Sequence, residues 1–398
     1  MLVCFCHYRL AILFEAFPLI LNATRLSTDL GTDPSPDSIL PVTIMMLVIF
    51  AIVVFVVGAF VWIAYLTAGE KGERANTPIL RWLQLLLAIT IFLILSLFPL
   101  VSLLNAIGAT GLNEFVQAHP KPKPEDFETL RLALTPASIF HFTMWALQLL
   151  VLLTPFRLLL RKTIFPMIDE KRWVHTIALM FWLSSVGVLI YSMTFAYDPS
   201  AYTGILTRLP MDIMAPGQAL IFLMFCPLAL GLGVKRNWGQ FLDRMAMHGF
   251  SWKTALLLTG LALTGVVFVL IVQPLAAQYT DPQVIKVAES MGEGLTANKT
   301  LAQALLTGIL VSLSAGIGEE AIFRGLLQPV LGWLPAVILF TVMHCHYGLS
   351  PILLILFLVA LLFVFVRNRY GLPAAMFTHV AYDFFMICTE IAQKFHFI

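Results

Sequence analysis

The sequence predicts an all-α protein, a polytopic transmembrane helical bundle of about ten spanning helices, and three observations carry that reading. First, 60% of the 398 residues are hydrophobic and only 12% are charged, too little polar surface to cover a soluble globule. Second, the apolar residues come in runs long enough to cross a bilayer, which takes about 20 residues of helix. Third, none of these runs breaks into the short alternating segments of a membrane barrel. The net charge of +2 implies no polyanionic partner, so no nucleic acid is expected.

Taken in order, the first 22 residues are apolar but carry Arg9, Glu15 and Pro18. They lack the basic start and clean apolar stretch of a cleaved leader, and read as an interfacial or half-buried helix. Strong spans follow at 39–68, 79–108, 134–156, 174–196, 211–233 and 255–276. Shorter or more polar ones follow at 301–328, 334–348, 350–366 and 372–389. Between them, 109–131 with its Pro-Lys-Pro-Lys-Pro run reads as a stiff connector, and 277–300 reads as a surface loop.

Orientation follows from Lys and Arg in the flanking loops. One side carries 14, among them Lys71, Arg157, Arg172, Arg236, Arg244, Lys253, Arg367 and Arg369; the other carries 8, with Arg9 and Arg324 unassigned out of 24. The richer side is expected to be cytoplasmic, as in a cell (plasma or inner) membrane. Of five cysteines, Cys226, Cys345 and Cys388 lie in apolar runs and no CxxC pair occurs, which argues against disulfides and thiolate metal sites. Asn22-Ala-Thr24 and Asn298-Lys-Thr300 fit the short glycosylation pattern, a weak signal.

Ionisable side chains at membrane depth are costly and mark function or tight pairing. His141, His175 and Asp212 lie near span ends, where reaching to the interface accounts for them. The last third differs: Glu319, Glu320, Arg324, His344, His346, His379 and Asp383 crowd into 65 residues of otherwise apolar helix. Glu320 and Arg324 stand four apart with the acid first, the favourable order for a helical ion pair. Glu319 is offset from Glu320 by about 100°, which leaves it free to face another direction. His379 and Asp383 also share a face, and Phe340 and His344 repeat that spacing. At 1.5 Å per residue, Glu319, His344 and His379 fall about 14, 15 and 10 Å from the cytoplasmic helix ends, a common depth nearer that face.

These residues carry a resemblance. Glu319-Glu320-Ala-Ile-Phe-Arg324 matches EExxxR, Phe340-Thr-Val-Met-His344 matches FxxxH, and His379-Val-Ala-Tyr-Asp383 matches HxxxN/D. In that order they resemble the signature motifs of the CAAX protease and bacteriocin-processing (CPBP or ABI) family, which includes the CAAX prenyl endopeptidases. The resemblance covers 255–398 and implies a protease domain there, with 1–254 an accessory transmembrane region of unknown role. It implies that Glu319 is the general base activating a water, assisted by His344. It further implies that His379 and residue 383 stabilise the oxyanion, while Glu320 and Arg324 support the site. Position 383 is Asp where the prenyl endopeptidases have Asn, and an ionised Asp cannot donate a hydrogen bond. Either Asp383 is protonated, or it orients His379, or it helps to hold a metal.

No cofactor is expected to be obligatory. A divalent ion such as zinc would have Glu319, His344, His379 and Asp383 as ligands, but there is no HExxH. His346, two residues past His344, projects to a different face and reads as an outer-edge histidine. The expected partners are the bilayer and a peptide or protein substrate, lipidated or membrane-associated. A transporter or ion pathway also places charges at mid-membrane, though more often with inverted repeats and broken helices in both halves. A non-catalytic membrane scaffold is the third reading.

Overall fold

The computed structural model describes residues 210–396 throughout, residues 139–194 apart from 141 and 170, and selected positions between 44 and 90 and between 197 and 203. The expected interfacial helix over the first 22 residues, the 109–131 connector and most of the first two spans lie outside the described residues, as do Cys4, Cys6, Asn22 and His141.

Among the described residues every extended element is helical, and six helices are long and apolar enough to cross a membrane, or seven if one bent pair counts as a span. The chain is an integral membrane protein. The bent pair is α1 (Phe142–Val151) and α2 (Thr154–Thr163), which meet at 100°. The expected straight span over 134–156 is therefore broken. The break falls at Leu153, which is extended (φ −85, ψ 125), and Pro155 in the first turn of α2 lacks the N–H that a continuous helix would need. Arg157 then folds back, donating through Nη1 to the carbonyls of Val151 (2.8 Å) and Leu152 (2.9 Å). By sequence this arginine counts among the loop cations. It is buried at the bend and satisfies carbonyls that α1 leaves open.

α3 (Trp173–Thr194) and α4 (Met211–Ala229) match their expected spans, as does α6 (Trp252–Ala277) after the short α5 (Trp238–Met245). The 277–300 segment is a correction: most of it is α7 (Pro282–Thr296), started by Pro282 and by Asp281 accepting from Gln283 N. Its polar content hides a helical stripe in which Val284, Val287, Ser290 and Leu295 are buried.

α8 runs from Leu301 to Leu331. Thr300 and Gln303 form a reciprocal capping box at its start, and residues Ala321–Leu327 widen into a π-helical turn just after Glu319-Glu320. Gly332, at φ +101, turns the chain into α9 (Trp333–Val342). The expected 334–348 span is thus cut short. At about 15 Å, α9 crosses only half of a hydrocarbon core of about 30 Å. His344 lies beyond it, in a turn before a 3-10 segment, Cys345–Tyr347. α10 (Pro351–Tyr370) and α11 (Leu372–Lys394) complete the bundle, joined at Gly371.

α8 and α11 are antiparallel neighbours. Gly308 faces Ile387 and Ile391, and Gly316 faces Val380 and Met376. Helices in lipid approach most closely where a small residue removes the Cβ. A Cβ on Gly316 would lie 2.5 Å from Val380 Cγ2, and one on Gly318 would lie 2.8 Å from Ala219 Cα on α4. These two glycines seat α8 between α4 and α11 immediately before Glu319.

Candidate active site

The three motifs converge on one point inside the bundle. Glu319 and Glu320 come from α8, His344 from the turn after α9, and His379 and Asp383 from α11. Glu319, His344, His379 and Asp383 all line one cavity of about 300 Å³.

The adjacent glutamates have different surroundings. Glu320 is fully buried, with Arg324 Nη1 3.0 Å from its Oε1 and His379 Nδ1 2.9 Å from the same oxygen. The arginine contact is an ion pair off the hydrogen-bonding angle: Arg324 Nη1 and Nε and Glu320 Oε2 have no hydrogen-bond partner. Arg324 donates instead through Nη2 to the Ala360 carbonyl at 3.2 Å. Its guanidinium lies 4.4 Å from the Phe340 ring centre and 5.5 Å from that of Phe363, within the range of cation–π attraction. Glu319, one residue earlier, is turned to the cavity.

Phe340 links the parts. Besides receiving Arg324 on its ring, its carbonyl oxygen lies 2.9 Å from His344 Nδ1. A carbonyl can only accept, so that nitrogen carries the proton and a neutral His344 keeps a lone pair on Nε2. Phe363 on α10 stacks on His379, with ring centres 4.3 Å apart and planes 19° apart. His379 is therefore held by a ring face, by Glu320 at Nδ1, and by Asp383 Oδ2 3.4 Å from Nε2, longer than a normal hydrogen bond.

His346 is not at an outer edge. It is fully buried, neither ring nitrogen has a hydrogen-bond partner, and its ring packs 4.1 Å from that of Tyr347. The 3-10 turn carries it inward, where a continued helix would have projected it elsewhere. Tyr347 stacks in turn on His344 (6.4 Å, 11°) and lines the cavity, as does Tyr382.

Sequence reasoning missed several contributors. Phe363 stood in an apolar run with nothing to distinguish it. Tyr382 lay inside the third motif at an unspecified position. Gly316 and Gly318 did carry a signal, a pair of small residues directly before the acids. Met211, Ala215 and Gln218 of α4, which precede residue 255, also line the cavity.

The cavity has a direction. His379 is seven residues from Leu372, about 10 Å along α11, so the cluster lies toward the end of the bundle that carries Arg367 and Arg369. From there the cavity leads the opposite way, past Gln273, Met291 and Leu295 to Glu390 and Met211.

Among the described residues no group of three or more His, Cys, Asp or Glu is arranged to hold a metal ion. His379 turns both nitrogens to carboxylates, whereas His344 engages Nδ1 with a carbonyl and leaves Nε2 available.

No curated protein and no solved structure matches the chain. A family model does match: residues 301–385 fit the type II CAAX prenyl endopeptidase Rce1-like family. That is a protease family, acting on protein substrates in membranes, and the matched residues contain all three motifs. The segment 301–385, with Glu319-Glu320, Arg324, Phe340, His344, His379 and Asp383 inside it, matches the CAAX protease and bacteriocin-processing family.

Proposed function

We propose that this protein is an intramembrane endopeptidase that hydrolyses a peptide bond with a water activated by Glu319 and His344. The observation that carries this reading is the convergence of Glu319, His344, His379 and Asp383 on a single cavity inside a membrane bundle. In the proposed reaction the Glu319 carboxylate takes a proton as the water oxygen attacks the scissile carbonyl carbon. The Nε2 lone pair of His344 accepts the second hydrogen of that water and so orients it. Charge then develops on the carbonyl oxygen. The N–H of His379 that faces Asp383 is the donor for it, since the 3.4 Å contact leaves that hydrogen only loosely engaged. Collapse of the tetrahedral intermediate breaks the C–N bond, and Glu319 returns its proton to the leaving amine. No step passes through a metal ion.

Asp383 orients His379 in this scheme, and Glu320 with Arg324 holds the opposite side of the same ring. Residues 255–398 form the protease domain, with the preceding helices bracing it and α4 completing its cavity wall. Chemistry takes place in the cytoplasmic half of a plasma or inner membrane, and the substrate segment reaches it along the cavity from the α7 end. The substrate is a membrane-associated peptide or protein, and lipidation is a property to be tested.

The test is cleavage of candidate peptides by purified full-length protein, comparing wild type with Glu319→Ala and His344→Ala. Turnover should fall by at least about a hundred-fold in each. Full turnover by both variants would sink the mechanism. Unchanged activity after thorough chelation is expected, and loss restored by zinc would reinstate a metal.

A further inference from the structure

A second cavity, of about 530 Å³, lies at the opposite end of the bundle from α7, between the 246–251 loop and the turn joining α10 to α11. Its walls are fixed to each other. Ala246, in the left-handed region at φ 56, presents its carbonyl to Leu372 N at 2.9 Å. Gly371, at φ +89, permits the close approach, because a Cβ there would lie 2.9 Å from the same oxygen.

The lining is basic. Arg367, Arg369 and His248 face the cavity together with Ser251, Thr254 and Tyr370, and no Asp or Glu lines it. Arg367 Nε is buried without a hydrogen-bond partner, and its Nη1 reaches only Asn368 Oδ1 at 3.4 Å, an oxygen already taken by Gln328 Nε2 at 2.8 Å. A buried donor left unpaired is costly, and an incoming acceptor would recover that cost. The 26-residue α6 also begins at this cavity. Ser251 Oγ accepts from Thr254 N, and the first intrahelical bond runs from Ala255 N to Ser251 O. The N–H groups of Trp252 and Lys253 are thus left for an external acceptor, at the positive end of a long helix. Cations with an unmatched donor, free backbone N–H groups and no competing carboxylate together select a compact oxyanion.

Position selects its source. The cavity lies where two membrane-spanning helices, α6 and α10, end, beside the exposed indole of Trp252 and the phenol of Tyr370. Such amphipathic rings mark the headgroup level of a bilayer. We propose that this cavity binds a phosphate-bearing anion, and that the phosphodiester headgroup of an anionic lipid fills it in the membrane. The site is separate from the protease chemistry and does not depend on it.

Native mass spectrometry of the full-length protein, released from nanodiscs holding equal amounts of phosphatidylglycerol and phosphatidylcholine, tests this. Phosphatidylglycerol should be retained in preference, and Arg369→Gln should lower its retention about five-fold, with a larger loss in Arg367→Gln/Arg369→Gln. Arg172→Gln removes a cation outside the cavity, from the same side by loop charge, and should leave retention unchanged. In a second arm, inorganic phosphate is titrated into protein in phosphatidylcholine nanodiscs. Arg369-dependent thermal stabilisation there, without a lipid preference, would keep the oxyanion site and assign free phosphate as its source. Equal retention of both lipids with no response to phosphate overturns the proposal, as does an Arg172→Gln loss equal to that of Arg369→Gln. The single Arg369→Gln variant decides the matter even if the double variant does not fold, because that side chain is exposed.

Discussion

The two flanks of α8 at residues 319 and 320 differ as sharply as any two regions of this molecule. On one flank Glu320 meets Arg324 and His379, Phe340 and Phe363 lie against the guanidinium of Arg324, and no atom of Glu320 meets solvent. On the other, Glu319 shares a cavity with His344, Asp383 and Tyr382. One residue of rotation in a helix separates a carboxylate held by an arginine and a histidine from one turned to the cavity. In the proposed reaction the buried ion pair is framing, and the adjacent acid is the one kept for chemistry.

The largest effect should come from breaking the cavity side. Glu319→Gln should lower turnover by about a thousand-fold or more while thermal unfolding in detergent stays near wild type. Arg324→Met should do the reverse. It leaves Glu320 charged and buried, and should destabilise the fold by about 3–5 kcal/mol in an unfolding titration. Adding Glu320→Gln to that variant should restore part of the loss, and failure to do so would show that the ion pair is not what frames the flank. Between these lies Gly316→Val, whose new Cβ has to push α11 away. A loss of about 1–3 kcal/mol and reduced turnover together are expected, because both flanks depend on that spacing. Phe363→Leu removes the ring stacked on His379 and should cost about 0.5–1.5 kcal/mol, with a modest drop in kcat. Smallest should be Asp383→Asn, which still accepts from His379 through its amide oxygen and should keep turnover within about ten-fold of wild type. Complete loss in that variant would assign Asp383 an acid–base role instead of an orienting one.

Much of this was legible in the residues. Long apolar runs dictate membrane helices because a backbone in hydrocarbon must satisfy its own hydrogen bonds. The four-residue spacings of Glu320 with Arg324, and of His379 with Asp383, put each pair on one helical face before any coordinates are considered. The errors had local causes. Hydropathy registers polar content but not its periodicity, so by sequence α7 resembles a loop. It also cannot tell a loop arginine from one that folds back to serve carbonyls, which hid the bend at Arg157. The early end of α9 followed from no composition signal, and with it went the burial of His346.

By itself, then, the sequence determined an all-helical membrane bundle, the residues of its three motifs and the pairing of Glu320 with Arg324, because these depend on local spacing and hydrophobicity. Only the tertiary structure decided that His379 is clasped between Glu320 and Asp383, that Phe363 stacks upon it, and that the cavity leads away from the basic end. Those are contacts between helices far apart in the chain, set by where glycines let backbones meet and where bulky rings fill the remaining space.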